Sequence, residues 1–170
     1  MPLMKTELRT KLNVARLEML DEEHRLASQA IVKRLKKAAD WSKVGSVHYF
    51  EPIQQLAEVD ISEFTRYLED NYPDIHLSTS RLIEDEWEIV GVHGGKPPKE
   101  FDVVIVPMLG FDPKTLHRIG YGGGYYDKFL ATQESARKIG VCFEQGRLEN
   151  IPAENHDFPL DQIITETAIY

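Results

Sequence analysis

One cysteine, Cys142, is the chain's whole supply of thiol. An internal disulfide is thereby excluded, which fits a reducing cytosol. A catalytic thiol is not expected either, because Ile139-Gly-Val-Cys-Phe143 is apolar and reactive thiols favour exposed, electropositive surroundings. Basic residues are scarce as well, 20 against 28 acidic, for a formal charge of −8. That balance opposes non-specific binding to nucleic acid, which depends on Lys and Arg neutralising phosphates. The longest apolar stretch, Val103 to Phe111, is far too short to span a bilayer, and the charged, leucine-bearing N-terminus has no apolar signal region. The histidines, at 24, 48, 76, 93, 117 and 156, show no zinc-ligand spacing. Repeats, low-complexity tracts and a Walker A loop are also lacking.

What is present alternates between helix and strand. At 170 residues the length suits a single domain, 1–170, able to bury a core without metal or disulfide staples. Apolar spacing predicts helices over 4–20 (Leu8, Leu12, Ala15 and Met19 on one face) and 21–39 (Ala27, Ile31, Leu35). Asp60 is read as the N-cap of a third helix reaching Asn71, with Glu58 just before it. Strands are expected at 47–51, 76–82, 86–93, 101–107, 138–144 and 163–165. Such alternation favours helices on both faces of a mainly parallel sheet.

Residues 118–129, Arg118-Ile-Gly-Tyr-Gly-Gly-Gly-Tyr-Tyr-Asp-Lys-Phe129, carry the strongest functional signal. Gly120, Gly122, Gly123 and Gly124 lack a Cβ, so backbone N–H groups there can approach a bulky anion, and a short helix follows from Tyr125 to Ala131. Arg118 adds a planar cationic fork suited to phosphate oxygens. The preceding run Phe101-Asp-Val-Val-Ile-Val-Pro107 reads as a buried parallel strand, the order in which open α/β sheets build ligand sites. A flexible surface turn is the alternative reading of the glycines.

Asp127 sharpens the case, because two like charges about 4 Å apart repel by roughly 4 kcal/mol at an effective dielectric near 20. It is either a ligand for Mg²⁺, which takes one or two carboxylates plus phosphates and waters, or a helix residue pairing with Lys128 or Arg118. Lys5 and Arg9 share a face of the first helix, which alone could be simply solvated. His156-Asp157 could be a turn held by the Asp side chain. Trp87 is expected to be buried, with stacking on a ligand as the alternative.

Met108-Leu-Gly-Phe-Asp112, followed by Arg118-Ile-Gly-x-Gly-x-Gly-Tyr-Tyr-Asp127, resembles the signature of the 5-formyltetrahydrofolate cyclo-ligase family. Lys5-x-x-x-Arg9, Glu58-Val-Asp60 and a late His-Asp pair fall in the family's order, so the resemblance spans nearly the whole chain. It implies a three-layer α/β/α sandwich around a mainly parallel sheet, similar to sugar-phosphate isomerase and CoA-transferase folds. It also implies ATP- and Mg²⁺-dependent conversion of 5-formyltetrahydrofolate to 5,10-methenyltetrahydrofolate. Lys5, Arg9, Arg118 and the stretch Ile119, Gly120, Tyr121, Gly122, Gly123, Gly124, Tyr125 and Tyr126 would then bind ATP. Asp127 and Asp157 would hold Mg²⁺; Phe50, Glu58 and Tyr126 would contact the folate; Arg118 and Tyr126 would serve the reaction directly. The expected setting is a cytoplasmic monomer acting on small molecules, with no nucleic-acid or membrane partner. A non-catalytic folate- or nucleotide-binding protein on the same fold is the alternative.

Overall fold

The computed structural model describes residues 4–152, 154 and 157–170. Two helices open the chain, α1 (Lys5–Leu17) and α2 (Asp21–Leu35). Glu7 accepts the Met4 N–H at 2.9 Å and so satisfies one orphan donor at the start of α1. In α2, Asp21, Glu22 and Glu23 occupy the first turn and Lys33 and Arg34 the last, matching the helix dipole at both ends. Strand β1 (Ser46–Tyr49) follows, then α3 (Ser62–Asn71), β2 (His76–Ile83), β3 (Glu86–Gly91) and β4 (Val103–Pro107). The two-residue strands β5 (Gly110–Phe111) and β6 (Arg118–Ile119) pair antiparallel. Helix α4 (Tyr125–Ala131), β7 (Arg137–Val141) and β8 (Gln162–Ile164) complete the order.

The main sheet runs β3-β2-β1-β4-β7-β8, parallel throughout except for β3, which pairs antiparallel with β2 at the edge. Side chains alternate across it as the pleat requires. Val103 and Ile105 of β4 join α2 (Ile31, Leu35) and α3 (Phe64, Leu68) in one core, while Val104 and Val106 join Phe129 and Leu130 of α4 in another. Each large aliphatic side chain removed from water this way contributes about 1.5–3 kcal/mol. The result is three layers, helix, sheet and helix. Helix α1 packs elsewhere, setting Leu8 and Leu12 against Leu109 and Ile119 beside the small β5–β6 pair.

Element boundaries differ from the periodicity where side chains leave the sheet or helix for a specific partner. Asp60 sits one residue before the helix boundary, where Ile61 is the N-cap residue, and its Oδ1 accepts the Ser62 N–H at 2.9 Å. The strand expected at 101–107 begins only at Val103, because the Asp102 carboxylate turns to accept the Gly45 and Ser46 N–H groups at 2.7 and 2.9 Å. The strand expected at 138–144 stops at Val141, and Glu144–Gly146 tightens into a 3₁₀ turn.

From the central strand β1, the sheet grows toward β2 on one side and β4 on the other. That reversal is the switch point of an open α/β sheet, where the loops leaving neighbouring strands diverge and open a crevice. Phe50 and Glu51 leave the carboxyl end of β1 there, and Pro107 ends β4.

Candidate active site at the switch point of the sheet

A cleft of about 720 Å³ occupies this crevice. One wall carries cations and glycines. The chain leaves β6 into Gly120–Gly124, with Gly122 at φ +98° and Gly124 at φ +69°, and enters α4. A side chain at either position would be strained, and a Cβ at Gly122 would lie 3.2 Å from the Arg9 guanidinium carbon. Arg9 reaches over the loop from α1, its Nε donating to the Gly120 carbonyl at 3.0 Å. Lys5, one turn earlier, places Nζ 2.5 Å from Asp157 and 3.4 Å from Glu154. The face of α1 that could have been merely solvated therefore lines the site.

Arg118 enters the same wall from β6, with only 6% of its side chain exposed and Nη2 2.8 Å from Asp127 Oδ1. Burial pulls its pKa down from the ordinary arginine range, while Asp127 pulls the other way. Its Nε is buried without a hydrogen-bond partner, so the guanidinium fork is incompletely satisfied by protein. Asp127 is paired with Arg118 in the structure. Ile119 stands apart from its neighbours. Its side chain is buried with Leu8 and Leu12 under the loop, and its carbonyl accepts the Leu109 N–H at 2.8 Å. Its neighbours Arg118 and Gly120 face the cleft, and Ile119 does not line it.

The rest of the lining is aromatic and carries one buried acid. Glu58 is 5% exposed, and its two carboxylate oxygens accept the Ile53 N–H at 2.7 Å and the Tyr121 hydroxyl at 2.6 Å. Arg16 Nη2 in turn donates to Tyr121 at 2.6 Å. Phe50, Tyr125, Tyr126 and Trp87 line the rest. Burial pushes the hydroxyl pKa of Tyr125 and, further, of Tyr126 upward, and burial with Glu58 does the same for Tyr121. All three phenols stay protonated near neutrality, fit to donate hydrogen bonds but not to act as bases. Trp87 corrects the expectation of a buried indole. It is 52% exposed on edge strand β3, with its ring 5.4 Å from that of Tyr125. At the sheet edge, with Tyr125 beside it, the indole is only about half covered.

The structure thus brings Lys5, Arg9, Phe50, Glu58, Arg118, the glycine loop, Tyr125, Tyr126, Asp127 and Asp157 to one cleft. His156, expected beside Asp157, lies outside the described residues. Sequence reasoning missed Arg16, Ser80 and Pro107. Arg16 had a usable signal, because it falls seven residues after Arg9 and so on the same helical face. Ser80 had none, since only the pairing of β2 with β1 brings it to the cleft.

The fold and the site define an open α/β protein whose cleft sits at the switch point, lined by cations, glycines and aromatics. Residues 92–166 match the model of the 5-formyltetrahydrofolate cyclo-ligase family. The 5-formyltetrahydrofolate cyclo-ligase of Haemophilus influenzae is 33% identical over 104 residues, covering 59% of this chain and 52% of that protein. A probable 5-formyltetrahydrofolate cyclo-ligase of Schizosaccharomyces pombe is 25% identical over 97% of this chain and 96% of its own length. The 5,10-methenyltetrahydrofolate synthetase of Mycoplasma pneumoniae superposes with a TM-score of 0.84 at 25% identity, covering 96% of this chain and 99% of that one. The chain is thus similar to 5-formyltetrahydrofolate cyclo-ligases in sequence and to a methenyltetrahydrofolate synthetase in fold. In the strongest sequence matches, the aligned stretch spans about half the length of the curated relatives, 48–56%. No helix among the described residues is long and apolar enough to cross a membrane.

Proposed function

We propose that this protein converts 5-formyltetrahydrofolate to 5,10-methenyltetrahydrofolate, consuming ATP and releasing ADP and phosphate. One observation carries the reading: Lys5, Arg9, Arg118 and the glycine loop face the same cleft as Glu58 and the aromatic wall. A phosphate-bearing ligand and a flat, polar heterocycle can therefore be held side by side.

The reaction needs that juxtaposition. A formamide is a poor electrophile, because N5 donates into its carbonyl. The formyl oxygen attacks the γ-phosphorus of ATP, an O–P bond forms, and the bond to the β-phosphate oxygen breaks to give ADP. The formyl carbon is then iminium-like and carries a phosphate leaving group. N10 of the same molecule attacks it, loses its proton, and expels phosphate, leaving the N5–C–N10 bridge. Because N10 is already tethered nearby, proximity lowers this barrier without a protein nucleophile.

The chain's own groups position and neutralise. Arg118, Lys5 and Arg9 spread the negative charge of the transferring phosphoryl group, with Gly120–Gly124 approaching its oxygens through the backbone. In the structure Arg118 and Lys5 are held by Asp127 and Asp157. Phosphates compete for the same cations. Glu58 accepts N–H donors of the pterin, whose rings pack on Phe50 and Tyr126. Asp127 and Asp157 supply two carboxylates beside that phosphate wall, a donor set that suits Mg²⁺ together with phosphate oxygens and water. When bound, the ion supplies further neutralisation of the polyphosphate. Small molecules are the proposed partners, and the chain is proposed to act alone, as a cytoplasmic monomer.

A spectroscopic assay for methenyltetrahydrofolate, run with and without MgATP, tests the reading. Product that depends on MgATP supports it. A folded protein that binds ATP or the folate without turnover would be a binding protein instead.

A further inference from the structure

A polar chain runs from the sheet interior to the cleft behind the aromatic wall. His48, on β1, is fully buried, with its ring 4.5 Å from that of Phe129, 5.5 Å from Phe101 and 6.4 Å from Tyr126. Its Nε2 lies 2.8 Å from Ser80 Oγ, and Ser80 Oγ is hydrogen-bonded to the Tyr125 hydroxyl. Its Nδ1 is buried without a hydrogen-bond partner. Ser80 and Tyr125 both line the cleft, and Tyr125 directly follows the glycine loop.

The direction of this chain decides what Tyr125 offers a ligand. Desolvation lowers the pKa of His48 to about 3, so the ring is neutral and holds one proton. On Nδ1, that proton would be a buried donor with no acceptor. On Nε2, it is given to Ser80 Oγ, and only an acceptor is left bare. Orphaned buried donors are rarer than under-satisfied acceptors. With Ser80 accepting from His48, its own hydrogen turns to the Tyr125 oxygen, and the Tyr125 O–H is left pointing into the cleft.

We propose that His48 and Ser80 are positioning residues that fix the Tyr125 hydroxyl as a hydrogen-bond donor to an oxygen of the bound substrate. The proposal deepens the cyclo-ligase reading and rests on it for the identity of that substrate. Phosphoryl and formyl oxygens share the acceptor chemistry required; the KM for each substrate separates them, because only the partner of Tyr125 loses affinity.

Two measurements test the assignment. In ¹⁵N-histidine-labelled protein, long-range proton–nitrogen spectra should show His48 protonated on Nε2; protonation on Nδ1 would overturn the proposal. The second is a double-mutant cycle of Ser80→Ala and Tyr125→Phe on kcat/KM. Each single change should cost about tenfold, the worth of one hydrogen bond, and the double variant should cost no more than either. Ser80→Thr, which keeps the hydroxyl, should restore activity. Ser80→Ala losing as much again in the Tyr125→Phe background would show that Ser80 acts through packing and sink the relay. If the parent protein makes no product with MgATP, the cyclo-ligase reading fails, and the His48 spectrum still decides which way Tyr125 points.

Discussion

The Tyr121 hydroxyl stands 2.6 Å from Glu58 Oε1 and receives a hydrogen bond from Arg16, also at 2.6 Å. Arg16 is itself 5% exposed. A buried cation and a buried anion are thus joined through one phenol, which ties α1, the loop after β1 and the glycine loop into a single unit. Opposite charges taken out of water in this way tolerate the loss of a mediating partner poorly. Tyr121→Phe leaves the carboxylate and the guanidinium each short of one partner, and should destabilise the protein by about 1–3 kcal/mol. Denaturant unfolding measures this directly, and an unchanged midpoint would show that the bridge contributes nothing.

The layered fold was largely legible in the sequence because its signals are local. β-branched runs such as Val103–Val106 and the four-residue spacing of Ala27, Ile31 and Leu35 announce strand and helix unaided. The glycine loop was legible for the same reason. What stayed hidden depends on long-range pairing. The tie of Arg16 to Tyr121 needed the glycine loop to fold over α1, and Ser80 needed the β1–β2 register to reach His48. The β5–β6 pair, only two residues per strand, carries no periodicity to detect.

Removing Arg118, a largely buried cation of the cleft, separates nucleotide handling from folate binding. Arg118→Ala should lower kcat by about a hundredfold or more, the scale seen when a donor to transition-state charge is lost, while the KM for 5-formyltetrahydrofolate changes little. Equal losses for nucleotide and folate would contradict the assignment of Arg118 to the phosphate wall.

Asp127→Asn keeps the shape of the side chain and a hydrogen-bond acceptor for Arg118, so the fold should survive, with a thermal midpoint close to the parent's. The Mg²⁺ concentration needed for half-maximal turnover should rise about tenfold or more, as for loss of one of two charged ligands. A magnesium dependence identical to the parent's would remove Asp127 from the proposed metal ligands.

His48 makes stability depend on pH in a defined window. Its folded pKa of about 3 lies below its ordinary value of 6.5, so between them the unfolded chain binds the proton that the folded one refuses. Its contribution is complete above about pH 6.5 and is lost as the pH falls toward 3, for a total of about 4–5 kcal/mol as an upper figure. Carboxylates titrate over part of the same range, so the readout is a difference. Stability measured against pH for the parent minus that for His48→Gln should slope between pH 6.5 and 4.5, with the parent losing more. Parallel curves would mean that His48 takes up its proton in the folded state as easily as in the unfolded one.

The chain has two tryptophans, and they occupy opposite environments. Trp41 is 2% exposed, with its indole N–H donating to the Lys36 carbonyl at 3.0 Å, whereas Trp87 is 52% exposed at the edge of the cleft. A ligand stacking on the aromatic wall must change the surroundings of Trp87 and leave those of Trp41 alone. Intrinsic fluorescence should therefore respond to 5-formyltetrahydrofolate in the parent and in Trp41→Phe, and lose the response in Trp87→Phe. The half-exposed indole also contributes little buried area, so Trp87→Phe should cost well under about 1 kcal/mol of stability, as surface substitutions do. A response that survives in Trp87→Phe would place the folate away from β3, and the aromatic wall would then end at Tyr125.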